Sequence, residues 1–458
     1  MARLMDLKSN LPPREFAKAA KGQKKPLKSP KKPSKKSSKS STVDIVYPVC
    51  CGIDVHKSFL VACIATTDER SHTTHQIRRF STFTRDLRKL ADWLAANNCK
   101  DVCMESTGKY WIPVFNTLEK TCDVRLTHPK YVKAIKGKKT DKKDAKWISE
   151  LFKCDLVRSS FIPPPDIRQL RDLCRYYMKL TYLCSSEKNR VQNCLTMCNF
   201  KLDDVFSDVF GKSASRIINA LLENGNADFD IASLIDGRCK ATEEDIRAAL
   251  DGELIPAQVD KLQLIRRHME YLEYLKDSLE QVILHLAAKY QPQIDLLMTV
   301  PGISTPLTAI RILAEIGTDM SVFETSKKLC SWAGLTPQNQ ESAGKKKTTR
   351  IGRAGDYLKP LLVQIALAAV KSDKHSELKN KFLVLKKRRG GKKAVIAIAR
   401  KLLTAIWHML SKNESYNAEL YHKSDKPPVK RDISFEQALI LLKKQGISVR
   451  DWAVTAPT

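Results

Sequence analysis

The chain has 458 residues with 80 Lys and Arg against 50 Asp and Glu, a formal charge of +30. Such an excess exceeds what solubility requires, suits a polyanionic partner and makes nucleic acid the first candidate. The length supports two or three domains with cores of their own, which excludes a peptide or a simple adaptor.

Residues 1–46 are rich in Lys, Ser and Pro and poor in large apolar groups, a composition that cannot offset its own ordering entropy, so this segment is expected to be a disordered basic tail. Residues 1–45 hold thirteen Lys and Arg and three acids, leaving about +20 on the remainder, so the folded part is basic as well. The apolar runs CCGIDV and FLVACIATT flank a break at His56–Ser58 and read as two strands, with a third near THQIRRFST. An amphipathic helix follows from Thr84 to Asn97, then a short strand Asp101–Glu105, a helix Tyr110–Lys120 and a strand Asp123–Thr127. That βββαβαβ order, closed by a helix from Asp141, builds an RNase H-like domain over residues 47–157.

From Asp166 the periodicity becomes that of long helices. Leu170, Leu173, Tyr177, Leu180, Cys184, Val191, Cys194 and Cys198 fall on one heptad seam broken at Glu187, and Ile265, His268, Leu272, Leu275, Leu279, Val282 and Leu286 form another. Residues 158–292 therefore read as coiled-coil helices interrupted by a helical lobe at 201–258, with a turn at Asn224–Asn226. Residues 293–412 form a basic, mainly helical domain, and 413–458 a polar extension. The fold class is α/β plus all-α. Thirteen cysteines lie mostly inside expected strands and helices. Cys99 with Cys103 and Cys194 with Cys198 are spaced by four, but no C-x-x-C pair supports zinc, so the thiols are read as reduced core residues. The absence of an apolar run of about 18 residues or of a signal-peptide core sets the expectation of a protein of the prokaryotic cytosol or nucleoid.

Asp54 stands where the first strand ends and Glu105 where the fourth ends. In the expected sheet these strands are parallel neighbours, so both carboxylates emerge at one end. Asp141 and Asp144, in KGKKTDKKDAKWI, are three apart at a helix start and share one face. Singly these residues read as a turn aspartate and as helix-cap partners. Jointly, four converging carboxylates need cations, and Mg²⁺ is the natural one: a hard ion that prefers oxygen and, as a pair about 4 Å apart, clamps the attacking and leaving oxygens of a phosphodiester. Lys136, Lys138, Lys139, Lys142 and Lys143 surround this pair and suit phosphates.

LLMTVPGISTPLTAIRILAEIG at 296–317 is similar to a helix-hairpin-helix, with Ser304 where a second glycine often stands, and reads equally as an ordinary helical hairpin. In WAGLTPQNQESAGKKKTTRIGRAGDYLKPLL, Ser342 lies in a polar loop followed by Lys345, Lys346, Lys347, Arg350 and Arg353. A serine attacking phosphorus needs an exposed hydroxyl and nearby cations, and this loop supplies both. On that reasoning alone Ser304, Ser321 and Ser331 compete with it.

The motifs GIDVHKS, MESTGKYW, KTDKKDA, VPGIS and WAGLTPQNQESAGK followed by GDYLKPLL, in order over roughly residues 50–370, resemble the DEDD transposases of the insertion-sequence 110 class. The resemblance implies a RuvC-like domain joined through a coiled coil to a C-terminal transposase domain, and recombination of DNA guided by a structured RNA from the element's end. It places the Mg²⁺-binding acids on Asp54, Glu105, Asp141 and Asp144, and a DNA-linked serine on Ser342. It also implies a homodimer whose two domains act together across the interface, with two dimers, a tetramer, joining donor and target DNA. The tail, the lobe and the C-terminal extension depart from compact members and point to a longer sister subgroup. Two other readings stay open: a RuvC-like nuclease or junction resolvase that activates water, and a non-catalytic nucleic-acid-binding protein with vestigial acids.

Overall fold

Val49–Val55 (β1) and Phe59–Thr67 (β2) are almost continuously buried, the mark of inner strands covered on both faces, whereas Thr73–Ser81 (β3) is largely exposed, as an edge strand should be. The computed structural model describes residues 44–106, 108–129, 140–225, 227–338, 340–342, 345–348, 350–352, 354–372, 376–419 and 440, with backbone alone at 340–342, 345–348 and 376. It divides into two compact units, residues 1–160 and 161–458.

The first unit holds a five-stranded sheet in the order β3-β2-β1-β4-β5, with β4 at Asp101–Glu105 and β5 at Asp123–Thr127. The first three strands form an antiparallel meander. β4 and β5 run parallel to β1, a connection that needs helical crossovers: α1 (Thr84–Ala96) and α2 (Trp111–Leu118) supply them. A third helix, α3 (Asp141–Lys153), packs on β1 and β2 through Ala145, Ile148, Ser149 and Phe152. This is the expected RNase H-like architecture, strand for strand. Val46, assigned to the tail on composition, is anchored: its amide and that of Tyr47 donate to the Lys153 carbonyl at 2.8 and 3.0 Å. Residues 1–43 lie outside the described residues, as does 130–139 with Lys136, Lys138 and Lys139.

In the second unit, α4 (Pro165–Met197) and α8 (Pro256–Ala287) each open with proline at the first helical position, where the missing N–H costs nothing. They pair antiparallel within the one chain. Leu170 and Cys174 share a core with Ile283 and Ala287, Leu180 and Cys184 pack with Leu272, and Val191 and Cys194 meet Leu262 and Ile265. The heptad reading of α8 slips at its end. Val282 and Leu286 are 49% and 37% exposed, while Ile283 and Ala287 are buried instead. A straight helix drifts about 20° per heptad, and over three heptads the buried stripe moves by about 60°, more than half the step between neighbouring residues. Glu187, the break in the first seam, is itself buried, bonded to Arg190 and to His268 Nδ1 at 2.9 Å across the pair.

Between the long helices, α5 (Leu202–Val205), α6 (Lys212–Asn224) and α7 (Glu243–Ala249) enclose a small core of Phe200, Ile217, Leu221, Ile231 and Ile246. Two backbone bonds close this lobe at its base, Lys201 N–H to Ala249 O at 2.9 Å and Glu253 N–H to Cys198 O at 3.1 Å.

The remaining core gathers α9 (Gln291–Met298), α10 (Pro306–Ile316), α11 (Ser326–Trp332), α12 (Leu358–Lys371), α13 (Ser376–Arg389) and α14 (Gly391–Lys412). α14 is long and apolar enough to cross a membrane by length and composition, but Val395, Ile398, Leu402, Leu403 and Ile406 are buried in this core. Gly302, in the hairpin before α10, has φ +87°, and a Cβ there would lie 2.3 Å from the Ile365 carbonyl of α12. At the start of α10, Thr305 Oγ1 takes the Thr308 N–H at 3.3 Å. The hairpin is therefore seated on α12 with part of its helix terminus already capped. Of the C-terminal extension, 420–439 and 441–458 lie outside the described residues.

Candidate active site

A single glycine determines how the acids meet. In a strand, residues two apart share a face, so Gly52, Asp54 and His56 of GIDVHKS all point toward α3. A Cβ on Gly52 would lie 2.3 Å from Ser149 N and 2.4 Å from Ala145 O, so the helix backbone rests directly on the strand. The two run in opposite directions: the chain before β1 meets Lys153, Cys50 meets the Ser149 carbonyl, and Gly52 meets Ala145. Two strand residues advance about 6.6 Å and four helix residues about 6 Å. Stepping from Gly52 to Asp54 therefore keeps pace with stepping from Ala145 back to Asp141, and the two aspartates arrive together.

Glu105 joins from the neighbouring strand. Ile53 pairs with Met104 in the parallel ladder, which sets Asp54 level with Glu105. Asp144 lies one turn along from Asp141 in the first turn of α3, whose cap is Thr140. Burial pushes the Asp54 carboxyl above its ordinary range; the His56 imidazole opposes this, and the charges of Asp144, Glu105 and Asp141 push it further up. The other three carboxylates thus all act on Asp54.

His56, at the break between the first two strands, stands among them. Its Nε2 is 3.3 Å from Asp54 Oδ2 and 3.4 Å from Asp141 Oδ1. The three ligand atoms lie within 4.8 Å of one another. Although close to both carboxylates, this nitrogen is a buried atom that makes no hydrogen bond with them, because the approach lacks hydrogen-bond geometry. The signal in the sequence was the D-x-H spacing, which puts both side chains on one face of a strand. A buried orphan nitrogen between two carboxylate oxygens is the donor set of a cation, and the cluster suits a divalent metal. Asp54 is 11% exposed and Asp141 48%, so the cluster is closed at the strand and open toward solvent at the helix start.

Lys142 and Lys143 project from the same helix start and are exposed. In the second unit, Ser342 is the last residue of β6 (Gln340–Ser342), paired with Lys345 at the first residue of β7 (Lys345–Thr348). The polar stretch is thus a β-hairpin rather than a loop. Alternation along a strand was masked there by a run of lysines. Its base is held tightly: Gln338 N–H donates to Arg350 O at 3.0 Å, Pro337 bridges to Ile351, and Gly334 and Gly355 bring backbones within a Cβ's reach of Ala354 and Ala333. The side chains of Ser342, Lys345, Lys346 and Lys347, and all of Arg353, lie outside the described residues; Arg350 is exposed. Of the competing serines, Ser331 sits in α11 and Ser321 in a short turn bonded to Asp319. The α13–α14 turn exposes a further basic group, Lys386, Lys387, Arg388, Arg389, Lys392 and Lys393, legible as the run KKRRGGKK.

The thirteen cysteines are free thiols. Cys103 lies in β4 and Cys99 just before it; burial pushes both thiols up to about 12.

Residues 51–200 match the IS110-type DEDD family, described as Transposase. Residues 294–381 match the Transposase IS116/IS110/IS902 family. The Transposase for insertion sequence element IS1111A of Coxiella burnetii is 32% identical over 137 residues, covering 29% of this chain and 37% of that protein. The Putative transposase y4pF/y4sB of Sinorhizobium fredii is 27% identical over 300 residues, covering 64% of this chain and 68% of that protein. The chain thus spans about a third of the length of the first relative and two thirds of the second. Among solved structures, the Fowlpox virus resolvase in complex with Holliday junction DNA matches at 18% identity with a TM-score of 0.17, over 23% of this chain and 72% of that one.

Proposed function

Because the chain belongs to the IS110 class of DEDD transposases, we propose that it is an RNA-guided DNA transposase that cuts and rejoins strands through a phosphoserine. The observation that carries this reading is the gathering of Asp54, Glu105, Asp141 and Asp144 at one end of the sheet, where burial raises the Asp54 carboxyl and the charges of the other three acids raise it further against the opposing His56. In this reading the N-terminal RuvC-like domain spans 47–157, the coiled-coil helices with their lobe 158–292, the serine domain 293–412 and the extension 413–458.

Asp54, Glu105, Asp141 and Asp144 hold Mg²⁺. When bound, the metal supplies Lewis-acid charge to the phosphoryl oxygens and favours the ionised nucleophile. The Ser342 hydroxyl attacks phosphorus, its proton leaves as the Oγ–P bond forms, and the P–O3′ bond breaks with the 3′-oxygen taking up a proton. The product is a 5′-phosphoserine and a free 3′-hydroxyl. A 3′-hydroxyl of the partner duplex then displaces the serine, so no external energy source is needed. Lys345, Lys346, Lys347, Arg350 and Arg353 offset charge at the phosphoryl group, and Lys138, Lys139, Lys142 and Lys143 grip the backbone beside the carboxylates. Sequence choice comes from base pairing with a structured guide RNA, the protein reading backbone shape and charge. The net charge of +30 and the exposed α13–α14 turn support nucleic-acid binding on this scale.

The two domains act together across a homodimer, and two dimers form a tetramer that joins donor and target DNA. Support comes from α8, which leaves Leu264, Tyr271, Val282 and Leu286 exposed on one face after its intrachain seam is filled, a stripe suited to a second copy. Purified protein incubated with Mg²⁺, element-end DNA and RNA from the same element should give a covalent protein–DNA adduct on denaturing gels, absent in Ser342→Ala. Cleavage without an adduct, unchanged in Ser342→Ala, would establish the water-activating nuclease instead.

A further inference from the structure

Four features set His56 apart from an incidental neighbour of the acids. Its Nε2 is a buried atom without a hydrogen bond. That atom lies 3.3 Å from Asp54 Oδ2 and 3.4 Å from Asp141 Oδ1. Two ligands about 2.1 Å from one ion, set 90–109° apart, stand roughly 3.0–3.4 Å from each other, so the spacings are those of adjacent ligands on a shared ion. The ring is also held in place from outside the cluster. Its backbone N–H donates to the Phe59 carbonyl at 2.9 Å, closing the β1–β2 turn, and its ring centroid is 4.7 Å from that of Phe59. Phe59 is in turn covered by the Arg79 guanidinium at 3.8 Å. A side chain fixed at the backbone and at the ring face presents Nε2 to the carboxylates with little freedom left to lose.

We propose that His56 is a nitrogen ligand completing the metal site with Asp54 and Asp141, and that it shifts the site's preference from Mg²⁺ toward nitrogen-accepting divalent ions such as Mn²⁺. The inference rests on the metal-dependent reading above and deepens it. Carboxylates alone form a hard site that suits Mg²⁺ and Mn²⁺ alike, but Mn²⁺, as a transition ion, accepts an imidazole nitrogen at less cost than Mg²⁺, which holds to oxygen. One nitrogen among oxygens therefore strengthens Mn²⁺ binding more than Mg²⁺ binding.

The test uses the full chain without a polyhistidine tag. Mn²⁺ is titrated in and followed by electron paramagnetic resonance, pulsed measurements report nitrogen coupling to the bound ion, and Mg²⁺ affinity is taken from competition. Wild type should show coupling to one imidazole nitrogen. His56→Asn and His56→Ser should lose it, with Mn²⁺ affinity falling about tenfold or more and Mg²⁺ affinity less than threefold. Bound Mn²⁺ without nitrogen coupling in wild type overturns the proposal and leaves the carboxylate site standing. Equal losses of Mn²⁺ and Mg²⁺ affinity in both variants, with wild-type circular dichroism, overturn the selectivity claim. Failure of Mn²⁺ to bind, or binding unaffected by Asp54→Asn, removes the metal-dependent reading and this proposal with it. Should either variant misfold, the wild-type nitrogen coupling decides alone.

Discussion

Replacing Gly52 with alanine tests whether the seat of α3 on β1 sets the acidic cluster. The added methyl would stand 2.3 Å from Ser149 N, 2.4 Å from Ala145 O and 3.0 Å from Ile148 C, where ordinary contact begins near 3.4 Å. All three atoms are backbone, so no side chain can swing aside, and α3 must retreat from the sheet by about 1 Å. Overpacking of this kind costs about 1–3 kcal/mol, and each kcal/mol lowers the melting temperature of a domain this size by roughly 2–4 °C. Asp141 rides on that helix and moves away from Asp54 by a similar distance. A 1 Å misplacement at a reacting centre can cost about a hundredfold in rate, so strand transfer should fall by about that factor, with weaker Mn²⁺ binding. Gly237→Ala is the control, since its methyl meets nothing within 4 Å, and it should change neither property. If Gly52→Ala binds metal and transfers strands like wild type, the cluster does not depend on the contact of α3 with the strand.

Glu187→Leu should leave the helical pair as stable as wild type or more so, because it replaces a buried charge on an apolar seam, whereas His268→Ala, which strips a partner from that charge, should lower the denaturation midpoint. Partial desolvation raises the half-exposed Asp166 carboxyl, yet bonds from Lys289 and Tyr290 outweigh this and hold it at about 2. A folded value below the unfolded one means its contribution is complete above pH ~4 and lost as pH falls toward 2; urea midpoints of wild type and Asp166→Asn should therefore converge between those values. Cys99 and Cys103, buried thiols held at about 12, should resist a disulfide reagent in the native protein and react on unfolding, and fast labelling of either would contradict their placement.

The sheet was legible because its strands carry period-two or fully apolar runs separated by clear breaks, and because each carboxylate falls at a strand or helix end. What the sequence concealed was contact across elements. Nothing in GIDVHKS alone distinguishes a glycine that seats a helix from one that opens a turn; only α3 arriving on that face makes Gly52 necessary and brings His56 to the acids. The heptad reading of α8 failed for a related reason. Leu and Val are apolar wherever they fall, so Val282 and Leu286 fit a strict seven-residue template, but the straight helix buried Ile283 and Ala287. At Ser342 the lysine run hid the hairpin, since a strand made of charged residues has no hydrophobic alternation to read.

The lobe between α4 and α8 has its own small core, and its entry and exit segments are tied together where the long helices end. Gly252 makes that knot possible, since a Cβ would sit 2.3 Å from the Cys198 carbonyl. A segment whose two ends are fastened side by side behaves as a cassette: the hairpin beneath does not feel how much chain lies beyond the knot. Evolution can therefore enlarge, trim or exchange this piece without disturbing the register of the long helices or the core that holds the Ser342 hairpin. Length and sequence can then vary in the lobe while the pairing of α4 with α8 is kept.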